Sequence, residues 1–259
     1  MQRVLFHSTI FGPIHSRRLG TSLGVNLSPN DGKVCTFDCL YCEAGYNAQG
    51  PGTTGLPSRA QVAQQLEAKL RQMKAEGQKL DVITFSGNGE PTAHPDFGGI
   101  IDDVIALRDK YFPAVKISVL SNSTQLGRPE VESALRRVDN NIVKLDSAID
   151  STIRVLDRPT SARFNADEVI RQIARFGPQC IVQTMILTGR DDNGNPVDNT
   201  TDTEIDALID AYRRINPNEV MLYSIDRPTP ARNLHKVSRE ELERIAERIR
   251  RAGIAVQVS

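Results

Sequence analysis

From Ser58 onward the hydrophobic period of this chain switches back and forth between helix spacing and strand spacing, and few folds satisfy that alternation. Val62, Leu66, Leu70 and Met73 fall on one helical face, with Ser58 placed to cap it and Gly77 to stop it. Residues 80–85 are then a short apolar run of strand type. A second helix over residues 95–110 carries Phe97, Ile100, Ile101, Val104 and Ile105 on its inner face, and residues 116–120 follow as a strand. A short helix after Pro129 turns Val131, Leu135 and Val138 inward, and residues 141–145 form the next strand. Residues 167–176 are a helix burying Val169, Ile170 and Ile173 and halted by Gly177 and Pro178; residues 180–187 are a strand and 188–199 a polar loop. Thr201-Asp202-Thr203-Glu204 has capping-box form and opens a helix with Ile205, Leu208, Ile209 and Tyr212 inside. A strand over 220–225, a helix capped by Ser238 and a strand over 254–258 complete the series.

Strands alternating with helices at these connection lengths make parallel βα units. About six fit, too few for a closed eight-fold barrel. The fold expected is α/β, an open partial (β/α)6 barrel of parallel strands in one domain over residues 1–259. Residues 1–30 read as an extension of irregular or short-strand structure interrupted at Phe11-Gly12-Pro13, with residues 31–259 as the barrel core. Within that extension residues 22–27 alternate as the first strand and deliver the chain through Ser28-Pro29-Asn30-Asp31-Gly32 into a cysteine-rich loop.

That loop holds Cys35, Cys39 and Cys42, three of the four cysteines, spaced CxxxCxxC with Tyr41 directly before the last. Sulfurs this close along one loop can face a common centre, which suits metal thiolate chemistry better than a disulfide. A zinc site normally closes with four ligands and a cubane 4Fe–4S cluster with four cysteines. Three cysteines leave one iron uncapped and open to a small molecule. The alternatives are a zinc knuckle completed by Cys180 or a histidine, and a closed electron-transfer cluster. Cys180 begins an apolar strand and reads as a buried thiol, while His7, His15 and His235 have no partner at metal spacing, and His94 reads as a helix-start residue.

Lysine plus arginine and aspartate plus glutamate both total 32, so no global basic field points to nucleic acid. The first residues lack the apolar core of a signal peptide, and no apolar run is long enough to span a bilayer. Clustered cysteines without a secretory signal point to a reducing cytoplasm.

In a parallel barrel the loops leaving the strands' carboxyl ends gather on one face, where chemistry is done. Here they are polar. Ser86-Gly87-Asn88-Gly89-Glu90-Pro91-Thr92 offers two glycines that let backbone approach a ligand and a carboxylate that can receive the N–H donors of an ammonium group. Glu90 and Pro91 also suit a plain first helical turn. Ser121 and Asn122 can hydrogen-bond a ribose hydroxyl or a ligand carboxylate. Lys144 and Asp146 share a strand face, as an ion pair across the mouth or as substrate contacts. Gln183 and Met185 share the next, facing ribose and adenine, or, for Met185, plain core. Arg227 faces substrate or pins its own loop, and Arg17 and Arg18 are structural or meet a substrate phosphate.

The cysteine loop with its aromatic residue, followed one βα unit later by Gly87-Asn88-Gly89-Glu90-Pro91, resembles the radical SAM superfamily, with Asn88 where a glycine is usual. Gly12-Pro13-Ile14-His15-Ser16-Arg17-Arg18-Leu19-Gly20, Lys144-Leu145-Asp146, Gln183-Thr184-Met185 and Ile225-Asp226-Arg227-Pro228-Thr229 further resemble the branch related to wyosine-tRNA synthases. The resemblance implies a 4Fe–4S cluster on Cys35, Cys39 and Cys42, and S-adenosylmethionine as cosubstrate. Tyr41, Gly87, Asn88, Gly89, Glu90, Ser121, Asn122, Gln183 and Met185 would bind that cosubstrate. Lys144, Asp146 and Arg227 would serve catalysis. It also implies a flavodoxin- or ferredoxin-type electron donor and a 5′-deoxyadenosyl radical that abstracts hydrogen. Residues 1–34 contain no cysteine, so the second cluster of wyosine synthases is not expected, and neither is their C-terminal extension around tRNA. The substrate expected is large, an RNA or nucleotide, with glycyl-radical activation of a partner protein as the alternative.

Overall fold

A computed structural model describes residues 3–16 and 19–259, so Arg17 and Arg18 lie outside the described residues. Its strands in chain order are β1 (Ile10–Ser16), β2 (Gly20–Val25), β3 (Val82–Phe85), β4 (Lys116–Ser121), β5 (Asn140–Lys144), β6 (Cys180–Met185), β7 (Leu187–Arg190), β8 (Pro196–Asp198), β9 (Glu219–Tyr223), β10 (Asn233–Lys236) and β11 (Val256–Val258). Its helices are α1 (Arg59–Ala75), α2 (Phe97–Tyr111), α3 (Pro129–Leu135), α4 (Asp150–Leu156), α5 (Ala166–Ala174), α6 (Asp202–Ile215) and α7 (Arg239–Arg251).

The main sheet has the order β1-β2-β3-β4-β5-β6-β9-β11. Only the β1–β2 pair is antiparallel, and β1 and β11 stand at opposite edges without pairing, so the barrel is open as expected. Helical crossovers separate each parallel strand from the next, which is six βα units from β2 to the last strand. Strand alternation divides the sheet's two faces. Leu23, Ile83, Ile117, Val143, Val182 and Val220 point outward into one apolar core with the helices. The residues beside them, Ser22, Thr84, Ser118, Lys144 and Gln183, point into the barrel and are buried as well.

The capping signals act where the sequence puts them. Ser58 accepts from Gln61 N and Gln61 returns the bond to Ser58 N, fixing the start of α1, whose buried Val62, Leu66, Leu70 and Met73 each contribute about 1.5–3 kcal/mol by leaving water. Thr201 accepts from Glu204 N at 3.3 Å, but the Glu204 carboxylate does not complete the box. It is buried and takes the hydroxyls of Ser147 (2.6 Å) and Thr152 (2.5 Å), tying α6 to the loop after β5 and to α4.

Three expectations change. Phe11-Gly12-Pro13 does not interrupt the N-terminal segment: it lies inside β1, at a register shift between Phe11 and Ile14. Proline's missing N–H is tolerated there because β1 is an edge strand. Residues 188–199 are not a loop but mostly a hairpin of β7 and β8, joined by β10 in a three-stranded antiparallel sheet. The helix α4 was not expected; its seven residues bury only Ile153 and Leu156, too few for a periodic signal.

Candidate active site

The cysteine loop is held on both flanks by main-chain bonds. On one side Val34 forms a parallel bridge to Gly89, donating to Asn88 O (3.3 Å) and accepting from Glu90 N (3.1 Å). On the other, residues 36–40 run against residues 156–160, through Asp38 N to Asp157 O (3.0 Å), Leu40 N to Leu156 O (3.0 Å) and Thr160 N to Thr36 O (2.9 Å). Cys42 N donates to Cys39 O at 3.2 Å, closing a turn that carries the second and third cysteines. All three thiols are unpaired, Cys39 buried and Cys35 and Cys42 half-buried.

This bridge explains Gly89 of the next loop. A Cβ on Gly89 would overlap the Val34 carbonyl, and one on Gly87 would overlap the Asn26 side chain. The close approach that Gly89 permits is to the protein's own cysteine loop, and that of Gly87 is to Asn26. Asn88 is likewise turned inward: its amide exchanges two hydrogen bonds with the main chain of Phe6 (2.8 and 2.9 Å) and donates a third to Pro29 O (2.9 Å). Together with Val4 N on Glu43 O (2.8 Å), this lays the N-terminal segment across both loops.

Glu90 is both a helix-start residue and a buried acceptor. Its Oε1 takes Thr92 N (3.1 Å), the Thr92 hydroxyl (2.5 Å) and the Ser121 hydroxyl (2.9 Å), while Oε2 takes Asn122 N (2.6 Å) and keeps a lone pair. Burial pushes its pKa above the usual carboxylate value, against the pull of these donors. Asn122 gives its side-chain N–H groups to Thr36 Oγ1 (2.9 Å) and Cys35 Sγ (3.5 Å), so it touches the first cysteine directly.

Lys144 is the hub of the inner face. Its ammonium meets Cys39 Sγ (3.2 Å), Asp146 Oδ2 (3.2 Å) and the Asp157 carboxylate, under the rings of Phe37 (4.8 Å) and Tyr41 (5.1 Å). Burial works against its charge, but Asp146, Asp157 and Cys39 outweigh that and hold its pKa well above the ordinary lysine value. Asp146 in turn accepts the Tyr41 hydroxyl and Met185 N (2.9 Å), linking the cysteine loop to β6. Arg227 is exposed and pairs with Glu43 at 2.7 Å, beside the last cysteine. A cavity of about 240 Å³ opens between Tyr41, Cys42, Met185, Tyr223, Ile225 and Arg227. Met185 thus lines a cavity while packing with Leu40 and Leu156. Gln183 faces into the barrel, buried, one turn of the pleat below it. Cys180 lies in the outer core, its thiol pushed up to about 12 by burial and donating to Gly177 O at 3.2 Å.

Sequence reasoning missed Lys33, Asp157 and the Asn88–Phe6 clamp. Lys33 opens the cysteine loop with no periodicity to mark it as buried, and Asp157 follows the helix that gave no signal. Only the tertiary approach of distant segments brings either to the cysteines.

Residues 30–200 match the profile of the Radical SAM superfamily. This chain belongs to that superfamily. Over 238 residues, 90% of this chain and 71% of the relative, it is 30% identical to a UPF0026 protein of Helicobacter pylori. Its fold is that of a radical SAM methyltransferase from Sphaerobacter thermophilus (TM-score 0.67, 19% identity, 92% of this chain and 65% of that one). It is also that of TYW1 bearing a lysine–pyruvate adduct (TM-score 0.62, 12% identity, 90% and 74%). The chain therefore spans just under two thirds of the methyltransferase's length. As a radical SAM enzyme it works with a 4Fe–4S cluster and S-adenosylmethionine.

The residues fit such a group. Three thiols free of disulfides on one loop would suit a cluster with one open iron, and two buried ammonium groups, Lys33 and Lys144, lie beside that loop. Among the described residues no three His, Cys, Asp or Glu side chains converge as ligands of a single ion do, whereas a cubane sets each thiolate on a different iron. No helix among the described residues is long and apolar enough to cross a membrane.

Proposed function

We propose that Cys35, Cys39 and Cys42 hold the 4Fe–4S cluster and that Glu90 Oε2 receives the amino group of S-adenosylmethionine. The observation that carries this reading is the bridge between Val34 and Gly89, which locks the cysteine loop and the Glu90 loop side by side. When bound, the cluster would supply the one electron that splits the sulfonium of S-adenosylmethionine into methionine and a 5′-deoxyadenosyl radical able to abstract hydrogen. Around that chemistry the chain's own groups orient and exclude water. Tyr41 and Asp146 fasten the third cysteine's turn to β5 and β6, and Met185 offers an apolar wall to adenine. Lys144, bound to Cys39 and to two carboxylates, acts on the cluster side of the site, and Arg227 guards the outer rim with Glu43. We read the whole chain as one domain that acts on an RNA or nucleotide substrate, supported by the wyosine-like segments and by the unclosed sheet.

The test is anaerobic reconstitution, reduction in the presence of S-adenosylmethionine, and addition of either bulk RNA or whole-cell protein grown in deuterium. Deuterium in 5′-deoxyadenosine with the RNA arm alone is the expected result. Transfer with the protein arm alone would instead identify a partner-protein activating enzyme, and no 5′-deoxyadenosine in either arm would refute the cleavage itself.

A further inference from the structure

Two buried lysines face the cysteine loop, and they differ in what neutralises them. Lys144 meets the carboxylates of both Asp146 and Asp157. Lys33 has one ion pair among the described residues, a long one to Asp38 at 3.5 Å, with its side chain only 1% exposed. Even that carboxylate is shared: the same Asp38 oxygen takes Asn47 N at 2.6 Å, and Arg158 lies 3.8 Å from the other. The Lys33 ammonium is aimed by its bond to Gly45 O (2.7 Å), on the turn where Gly45 N bonds Cys42 O (2.9 Å). Its main chain is fixed through Gly50 O (3.3 Å) and by the Val34 bridge that follows. Its place two residues before Cys35 and its bond on the turn of Cys42 set it beside the cysteine loop. An ammonium buried with so little carboxylate is costly unless other negative charge faces it. Three thiolates and the cluster they carry supply that charge.

We propose that Lys33 is the internal counter-cation of the cluster, a positioning residue that raises its reduction potential by fixing a buried positive charge beside the cysteine loop. The inference rests on the three-cysteine reading above. A two-plus core on three thiolates carries one net negative charge, and taking up one electron from the donor makes it two. A fixed cation stabilises the second state more than the first, so removing it disfavours reduction.

The experiment is a potentiometric titration of the reconstituted holoprotein without S-adenosylmethionine, followed by the EPR signal of the reduced cluster. Lys33→Met should make reduction about tenfold less favourable, a fall of about 59 mV for one electron. Lys33→Arg should keep the wild-type potential. Asp38→Asn keeps the shape and removes the opposing charge, so it should shift the potential upward. A merely structural role would move Lys33→Met and Asp38→Asn in the same direction, and that result, or an unchanged Lys33→Met, overturns the proposal. If Lys33→Met fails to retain iron, Lys33→Gln, which keeps a donor for Gly45 O without the charge, decides by the same fall in potential. Failure of the three-cysteine reading shows separately, as wild-type iron that survives replacement of the cysteines.

Discussion

The two faces of the main sheet are built from neighbouring residues of the same strands, yet they are held by different physics. On the outer face, Leu23, Ile83, Phe85, Ile117 and Val143 merge into one apolar core with the helices, and any residue of similar shape serves there. On the inner face and at the mouth, polar groups are held by partners from other segments: Glu90 with Asn122, Tyr41 with Asp146, Lys144 with Asp157, Asn88 with Phe6. The outer face sets stability in graded steps, whereas the mouth sets chemistry through individual contacts.

Substitutions can break that contrast. The largest effect is expected at the cysteines: Cys35→Ala, Cys39→Ala or Cys42→Ala should remove most iron after anaerobic reconstitution and abolish 5′-deoxyadenosine formation, while thermal unfolding of the apo-protein stays cooperative. Full iron loading of a triple alanine variant would end the cluster assignment. Next, Phe85→Ala on the outer face should cost about 3–5 kcal/mol in urea unfolding and leave the iron content of the folded fraction unchanged. Loss of iron from that folded fraction would mean the two faces are not separable.

Glu90→Gln keeps shape and removes charge. Cluster assembly should survive, and calorimetry should show S-adenosylmethionine binding about tenfold to a hundredfold weaker, the worth of a charged hydrogen bond of about 1.5–3 kcal/mol. Unchanged affinity would reduce Glu90 to a helix-start residue. Its raised pKa adds a sign. In the ligand-free protein burial favours the protonated form more than in the unfolded chain, so its contribution to stability is complete below the usual carboxylate pKa and lost as pH rises through the raised value. Ligand-free Glu90→Gln should therefore gain on wild type as pH rises through that window, while wild-type affinity for the cosubstrate's ammonium should increase. Urea midpoints and calorimetry across the window check both. The smallest effect belongs to Arg227→Ala, whose exposed pair with Glu43 is worth about 0–1 kcal/mol of stability. A large fall in turnover at unchanged stability would move Arg227 from the rim into substrate contact.

What could be read in advance follows the same division. The helices with four or more inward apolar residues, such as α1 with its Ser58 cap, were legible to within a few residues because their signal is local. The cysteine triad stood out as a motif for the same reason, since its spacing lies within one loop. The glycines of the Glu90 loop were legible as a close approach, but that Gly89 meets the Val34 carbonyl and Gly87 the Asn26 side chain is set by tertiary packing. Asn88 stands out in sequence as the departure from a glycine motif, and only the fold shows it clamping Phe6. Residues 188–199 looked like a loop because β7 and β8 are short and polar and need β10, more than thirty residues on, to become a sheet.

The claim at the centre of this account is that three thiolates leave one iron open to S-adenosylmethionine. EPR of the reduced, reconstituted protein before and after adding the cosubstrate tests it most directly. A change in the cluster signal on addition, lost in Cys35→Ala, Cys39→Ala and Cys42→Ala and shifted to higher concentration in Glu90→Gln, is the predicted result. A reduced cluster whose signal stays the same at saturating S-adenosylmethionine would contradict it.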